Sequence, residues 1–297
     1  MLSQFFNHYL LESGLVTREQ LLEALSHKAD TRVKLGVLAI NAGFMSAEQV
    51  ETIHRRQEKV DKRIGDIAVE LGFLTTKQIN ELLSAQRPAH LILGQALVDE
   101  GVLTNAQFES AWNQFRAKYV LDDGDFTDEK DDKLAMVLSS YLKAKNTKEA
   151  AFPVDYILLL LKSLTRFITD DYTPLSEVPC MGTDAVYITQ AIKGDLTAVS
   201  RIVCSPTTLT ALASLFAKTL YTDVDITESE EYTEASVSEF LNLHNGLFAV
   251  NMSTARSIEL ALEPQELTRG GDCACKDNCV VLPICFSFGE VTFMLEV

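Results

Sequence analysis

The stretch "SEFLNLHNG", residues 238–246, places Glu239 and Asn242 one helical turn apart, beside Gly246. On a helical wheel Val237, Phe240, Leu241, His244, Leu247 and Phe248 share one sector, which predicts a face that packs inward. Ala235, Glu239, Asn242, Gly246 and Ala249 form a stripe on the far side. Exposed helical faces usually carry long, solubilising side chains. One acid, one amide and small residues instead clear a surface for something to dock on. The amide donates and accepts hydrogen bonds while staying neutral, and the acid carries charge. His244 falls on the apolar face, so a partly buried histidine bonded to backbone is expected there rather than a general base.

A second group that could do chemistry is "CACKDNCVVLPIC", with Cys273, Cys275, Cys279 and Cys285. Its C-x-C-x3-C spacing lacks the paired C-x2-C pattern of zinc sites, and no histidine lies nearby. Free thiols on a loop in a reducing compartment are expected, with no metal.

The elements that must position these groups begin with a repeat. Gly14, Gly43, Gly72 and Gly101 recur at a 29-residue step, and Gly36, Gly65 and Gly94 keep the same step with Asn7 in the first copy. Two apolar residues follow each member of the first series, then Thr17, Ser46, Thr75 or Thr104. Three positions on stand Gln20, Gln49, Gln78 and Gln107. A Ser/Thr N-cap with Gln at N3 is a capping box, here written four times. Each unit predicts a short helix such as 35–42, a glycine in the left-handed conformation, and a capped helix such as 47–57. Single copies are too small to bury their apolar faces, so they must pack into one bundle.

The segment "KRIGDIAVELGFLTTKQINELLSAQ" resembles the nucleotide-binding motif of the MshEN-type N-terminal domain of type II secretion and type IV pilus ATPases. Arg63, Ile64, Gly65, Gly72 and Gln86 fit one motif, and Lys34, Leu35, Gly36, Gly43 and Gln57 fit the preceding one, with 58–62 as the five-residue spacer. The resemblance covers about residues 1–118 and implies a cyclic di-GMP ligand held by the second and third copies. Arginine would offer a planar fork to guanine or phosphate, and glycine would let the backbone approach closely. Lys34 departs from the expected arginine, and Ile92 and Phe5 stand at that position in the outer copies. A helical interaction module without ligand is the other reading of the same residues. No glycine-rich ATP loop with lysine is present, so the chain is not itself such an ATPase.

The chain has 297 residues and a formal charge of −16. Residues 1–149 hold 18 Lys/Arg against 22 Asp/Glu, net −4, and residues 150–297 hold 8 against 20, net −12. That balance argues against a nucleic-acid polymer as partner, because phosphate binding needs a basic footprint. The longest apolar run, Tyr156 to Leu161, is far short of the roughly 20 residues of a membrane span. With Glu12 early and no basic flank before it, no secretory leader and a cytoplasmic location are expected. Three segments are expected: a helical repeat domain over 1–118, an acidic connector with a helix over 119–150, and an α+β domain over 151–297.

In that last segment "DYILLLLKSLTRFI" is apolar nearly all round and predicts a buried helix. β-branched runs flank Lys193-Gly194-Asp195 as in a hairpin, Ser205 caps a helix opened by Pro206, and "VVLPICFSFGEVTFMLEV" predicts a final hairpin. The expected sheet is mixed or antiparallel, layered with long helices.

In this order of elements, the Glu239/Asn242 helix resembles the signature helix of the CheX/CheC family of chemotaxis phosphatases. That motif reads Asp/Ser, three residues, Glu, two residues, Asn, and a proline some twenty residues later. Pro264 lies one residue short of the usual spacing, and Ala235 occupies the Asp/Ser position. The resemblance implies removal of the phosphoryl group from the aspartate of a receiver resembling CheY, with Glu239 and Asn242 as site residues. Asn242 would hydrogen-bond the attacking water, and Glu239 would pair with the receiver's lysine. It implies no cofactor on this chain, since Mg²⁺ belongs to the receiver, and it allows a homodimer. A non-enzymatic adaptor that binds a receiver or a motility or pilus component is the alternative, favoured by Ala235.

Overall fold

Four copies of one sequence unit produce four copies of one helix pair. The computed structural model describes residues 1–27, 31–84, 89–122, 125, 131–143, 151–177, 182–220, 229–270 and 278–297. It divides into two units, Leu2–Glu129 and Lys130–Val297.

The first unit holds α1 (Leu2–Glu12), α2 (Arg18–Ser26), α3 (Leu35–Asn41), α4 (Ala47–Gln57), α5 (Ile64–Glu70), α6 (Thr76–Ser84), α7 (Ala89–Asp99) and α8 (Asn105–Tyr119). All four capping boxes form. Thr17, Ser46, Thr75 and Thr104 accept from the N3 backbone, and the N3 glutamines reach back to the cap N–H. Gly14, Gly43, Gly72 and Gly101 sit at φ of 67° to 72°, the left-handed conformation that closes each first helix. The second glycine series answers a different need. A Cβ on Gly36, Gly65 or Gly94 would lie 2.8 Å from Val50, 3.3 Å from Ile79 or 2.3 Å from Phe108. Each target follows the N3 glutamine of its copy, so these glycines let the two helices of a pair touch.

Between copies, α1 and α2 pack on α7, and α3 packs on α6, α7 and α8. The buried centre is aromatic: Phe6 meets Trp112 edge-on at 4.9 Å, Phe115 at 5.4 Å and Phe108 at 6.1 Å. His90 stacks on Trp112 at 4.0 Å, with Ser3 Oγ and Asn41 Oδ1 against its two ring nitrogens. Burial pushes its pKa down to about 3, so it packs as a neutral ring.

The second unit is α+β. Its helices are α9 (Asp131–Lys143), α10 (Ala151–Phe167), α11 (Pro206–Leu220) and α12 (Glu230–Arg256). Its strands are β1 (Tyr172–Pro174), β2 (Val186–Gly194), β3 (Ala198–Cys204), β4 (Leu260–Leu262), β5 (Glu266–Arg269), β6 (Cys279–Phe286) and β7 (Gly289–Glu296). Every pairing is antiparallel, in the order β1-β6-β7-β3-β2, with β4 and β5 sharing the outer edge of β2. Both expected hairpins are present, β2–β3 and β6–β7. Ser205 Oγ accepts from Thr208 N at 3.2 Å, capping α11 at Pro206.

α9, expected within a solvated connector, is instead part of this unit. It packs on α10 with Leu134, Val137, Leu138 and Tyr141 buried, and Tyr141 donates to Leu175 O at 2.7 Å. The apolar spacing of "KLAMVLSSYL" outweighs the polarity of what precedes it. Among the described residues no helix is long and apolar enough to cross a membrane.

Candidate functional site

α12 carries the acid–amide pair. Its 27 residues give about 40 Å of rod at 1.5 Å per residue, with Glu230 and Glu231 in the first turn and Arg256 in the last, as the helix dipole favours. Its inner face is closed by Phe240 against Phe216 at 5.5 Å and by Phe248 against Phe152 at 5.0 Å and Tyr156 at 5.1 Å. Val237, Phe240, Leu241, His244 and Phe248 are buried as the wheel predicts. Leu247 is not: at 38% exposed it lies at the edge of the sector and faces out.

His244 is fully buried, not partly, and its Nδ1 meets the Ser163 hydroxyl at 3.3 Å rather than backbone. Nε2 has no partner. Burial drives its pKa down to about 3, so it is a neutral core residue out of reach of any docked partner.

On the outer face Ala235 and Glu239 are exposed, and Asn242, Gly246 and Ala249 are half-buried. The Glu239 side chain makes no hydrogen bond or ion pair with any described residue. Asn242 stands one turn on, about 4.5 Å along the axis. Its Oδ1 accepts from Gln190 Nε2 at 3.0 Å, and its Nδ2 has no partner among the described residues. A Cβ on Gly246 would meet nothing within 4 Å, so the stripe stays low and open. The two serines beside this stripe are both turned to backbone carbonyls. Ser236 Oγ donates to Ala213 O on α11, and Ser238 Oγ donates back to Glu234 O.

Behind Asn242 runs a polar network that the sequence reading missed. Gln190 of β2 also donates to Glu263 O at 3.0 Å and accepts from Asn245 Nδ2 at 2.8 Å. Asn245 Nδ2 donates to Ser200 Oγ at 2.7 Å, and its Oδ1 accepts from the Tyr156 hydroxyl at 2.8 Å. An amide in the middle of an otherwise apolar strand, Gln190 in "VYITQAI", was the available signal.

No protein-family model matches the chain, and no curated protein matches it. Solved structures to which it is similar include a chemotaxis protein CheX from Desulfovibrio desulfuricans, at 15% identity and a TM-score of 0.36, over 48% of this chain and 97% of that one. A CheX–CheY–BeF3–Mg²⁺ complex from Borrelia burgdorferi matches at 14% identity and a TM-score of 0.40, over 50% and 98%. Chemotaxis protein CheX from Vibrio vulnificus matches at 12% and 0.39, over 48% and 97%.

In the first unit, Lys34 and Arg63 stand at the N-cap positions of α3 and α5, both exposed. Lys34 is ion-paired with Asp99, and its backbone N–H donates to Gln95 Oε1 at 2.9 Å. The Arg63 side chain makes no hydrogen bond or ion pair with a described residue. Leu35, Ile64 and Gly65 are half-buried, and Gln57 Nε2 donates to Lys62 O at 3.0 Å. Gln86 lies outside the described residues, as do Cys273 and Cys275. The expected close backbone approach at Gly36 and Gly65 is made by Val50 and Ile79 of the chain itself. Lys34, His54, Ile64 and Gln95 line a cleft of about 50 Å³, well below the roughly 300 Å³ of an enclosing small-molecule site. A nucleotide there would lie on the surface. Of the remaining thiols, Cys204 and Cys285 are buried, and burial pushes Cys204 up to about 12.

Proposed function

We propose that the second unit dephosphorylates the phosphoaspartate of a CheY-like receiver in the cytoplasm, docking the outer face of α12 over the receiver's site. The carrying observation is a carboxylate without a partner among the described residues, one turn from an outward amide, on a stripe kept low by Ala235 and Gly246. Exposed Tyr232 and Val250 (67% and 64%) lie on the same side, 18 residues or about 27 Å apart, and supply apolar contact at either end. Water attacks phosphorus while the aspartyl O–P bond breaks with its electron pair to the carboxylate, and the water's proton leaves with phosphate. Little covalent work falls to the protein in such a transfer, which asks for positioning and local electrostatics. Asn242 holds the water, and Glu239 pairs with a receiver lysine. Mg²⁺ belongs to the receiver, the substrate.

A panel of phosphorylated receivers tests this by phosphate release. Glu239→Ala is expected to weaken binding of the responsive receiver about tenfold, the loss of one hydrogen bond to a charged group. Affinity equal to the parent's would remove Glu239 from the interface. Exposed Ala235, where the resembling family has Asp or Ser, favours a second reading, an adaptor that binds the receiver without hydrolysis. Binding with no release from any phosphorylated receiver would establish it.

For the first unit we propose surface binding of cyclic di-GMP by the second and third repeats, through Arg63 and Lys34. Among the described residues the Arg63 guanidinium has no partner and can make a bidentate contact, whereas Lys34 must leave Asp99. Calorimetric titration of the full chain should give saturable heat that Arg63→Ala removes. No heat at high micromolar ligand would end the proposal.

A further inference from the structure

A carboxamide can present its oxygen or its amino group, and which one Asn242 offers a partner is set from inside the fold. Glu263 C=O is a backbone acceptor with no alternative, so the Gln190 atom 3.0 Å from it must be Nε2. The second hydrogen of that same Nε2 points at Asn242, which must therefore present Oδ1. At the other end, Gln190 Oε1 accepts from Asn245, and Asn245 Oδ1 accepts from Tyr156. Burial raises the Tyr156 pKa, so its hydroxyl remains a donor at any physiological pH. The chain of bonds thus has one polarity from Tyr156 to Asn242, fixed by the Glu263 carbonyl.

The anchor at Glu263 has its own cause. Ile192 pairs with Leu262 and Thr189 with Glu266, so three steps along β2 face four along β4–β5, a bulge of one residue. Within it Glu263 N donates to Ala191 O, and Pro264 holds Glu263 in extended conformation. That arrangement turns the Glu263 carbonyl onto Gln190.

We infer that Gln190 is a positioning residue that orients the Asn242 carboxamide, leaving both Nδ2 hydrogens and one Oδ1 lone pair for the docked partner. Its kinetic consequence rests on the phosphatase reading. With the phosphoryl group in place, Oδ1 accepts from the attacking water and Nδ2 donates to a phosphoryl oxygen. With the amide turned over, the water would lose its acceptor.

Gln190→Met keeps the volume and removes both polar ends, and Gln190→Glu replaces the donor by an acceptor. Each is expected to lower kcat about 10- to 100-fold with KM changed less than about twofold, because misplacement of a positioned group costs on that order. In the Asn242→Ala background, Gln190→Met should add little, since the two act as one unit. Folded Gln190 variants with kcat within about threefold of the parent, while Asn242→Ala is inactive, would overturn the inference. An active Asn242→Ala would instead sink the phosphatase reading, and orientation would then be decided by side-chain amide exchange in the unaltered protein. There the Asn242 Nδ2 hydrogens should exchange at solvent-exposed rates and the Gln190 Nε2 hydrogens slowly; the reverse order would overturn it. The exchange measurement also decides the matter if both variants fail to fold.

Discussion

Asn242→Ala is expected to lower receiver-stimulated phosphate release about 100-fold, the scale on which one preorganised hydrogen-bonding group acts in a transition state. The fold should survive. Gln190 keeps its bonds to Glu263 O and Asn245, and Cβ of residue 242 stays on a half-buried position of an intact helix. Receiver affinity should therefore change little, which separates this variant from Glu239→Ala. Asn242→Asp is a sharper version: it is isosteric, but it places negative charge beside a phosphoryl group and should be at least as inactive. Phosphate release from the phosphorylated receiver, measured beside binding of a beryllofluoride-activated one, checks both. If Asn242→Ala turned over receiver like the parent, the outer face of α12 would be an interaction surface without chemistry.

Gly94→Ala should destabilise the first unit by about 1–3 kcal/mol, the usual cost of forcing a methyl into a filled core. The added Cβ would lie 2.3 Å from the ring of Phe108, which is fully buried and held edge-on by Phe6. Gly65→Ala, at the same place in the third copy, meets the tips of the Ile79 and Leu35 side chains at 3.3 and 3.5 Å and should cost much less. Thermal melts of the two variants against the parent test the ranking. Equal melting temperatures would show that the second glycine series is not there for helix contact.

The first unit was largely legible because its information is local. A capping box spans four residues and a left-handed glycine concerns one, so a 29-residue repeat of both fixes the helices wherever they pack. Hairpins at Gly194 and Gly289 and the cap at Ser205 were readable for the same reason. The α12 wheel separated inside from outside except at Leu247, where a position on the boundary cannot be assigned without knowing which neighbours cover it. The roles of the glycines divided along the same line. Left-handed φ follows from the turn, but the closeness of Gly36, Gly65 and Gly94 to Val50, Ile79 and Phe108 depends on how each pair folds back.

Sequence alone determined that Glu239 and Asn242 share one exposed face, because 3.6 residues per turn is a property of any helix. It could not determine which end of the amide faces out. That was settled by Gln190, 52 positions away, and by the carbonyl of Glu263 at a strand bulge, groups that only the sheet brings to the helix. A hydrogen bond between distant residues has no periodicity to betray it, since its geometry exists only once strands and helices are in register.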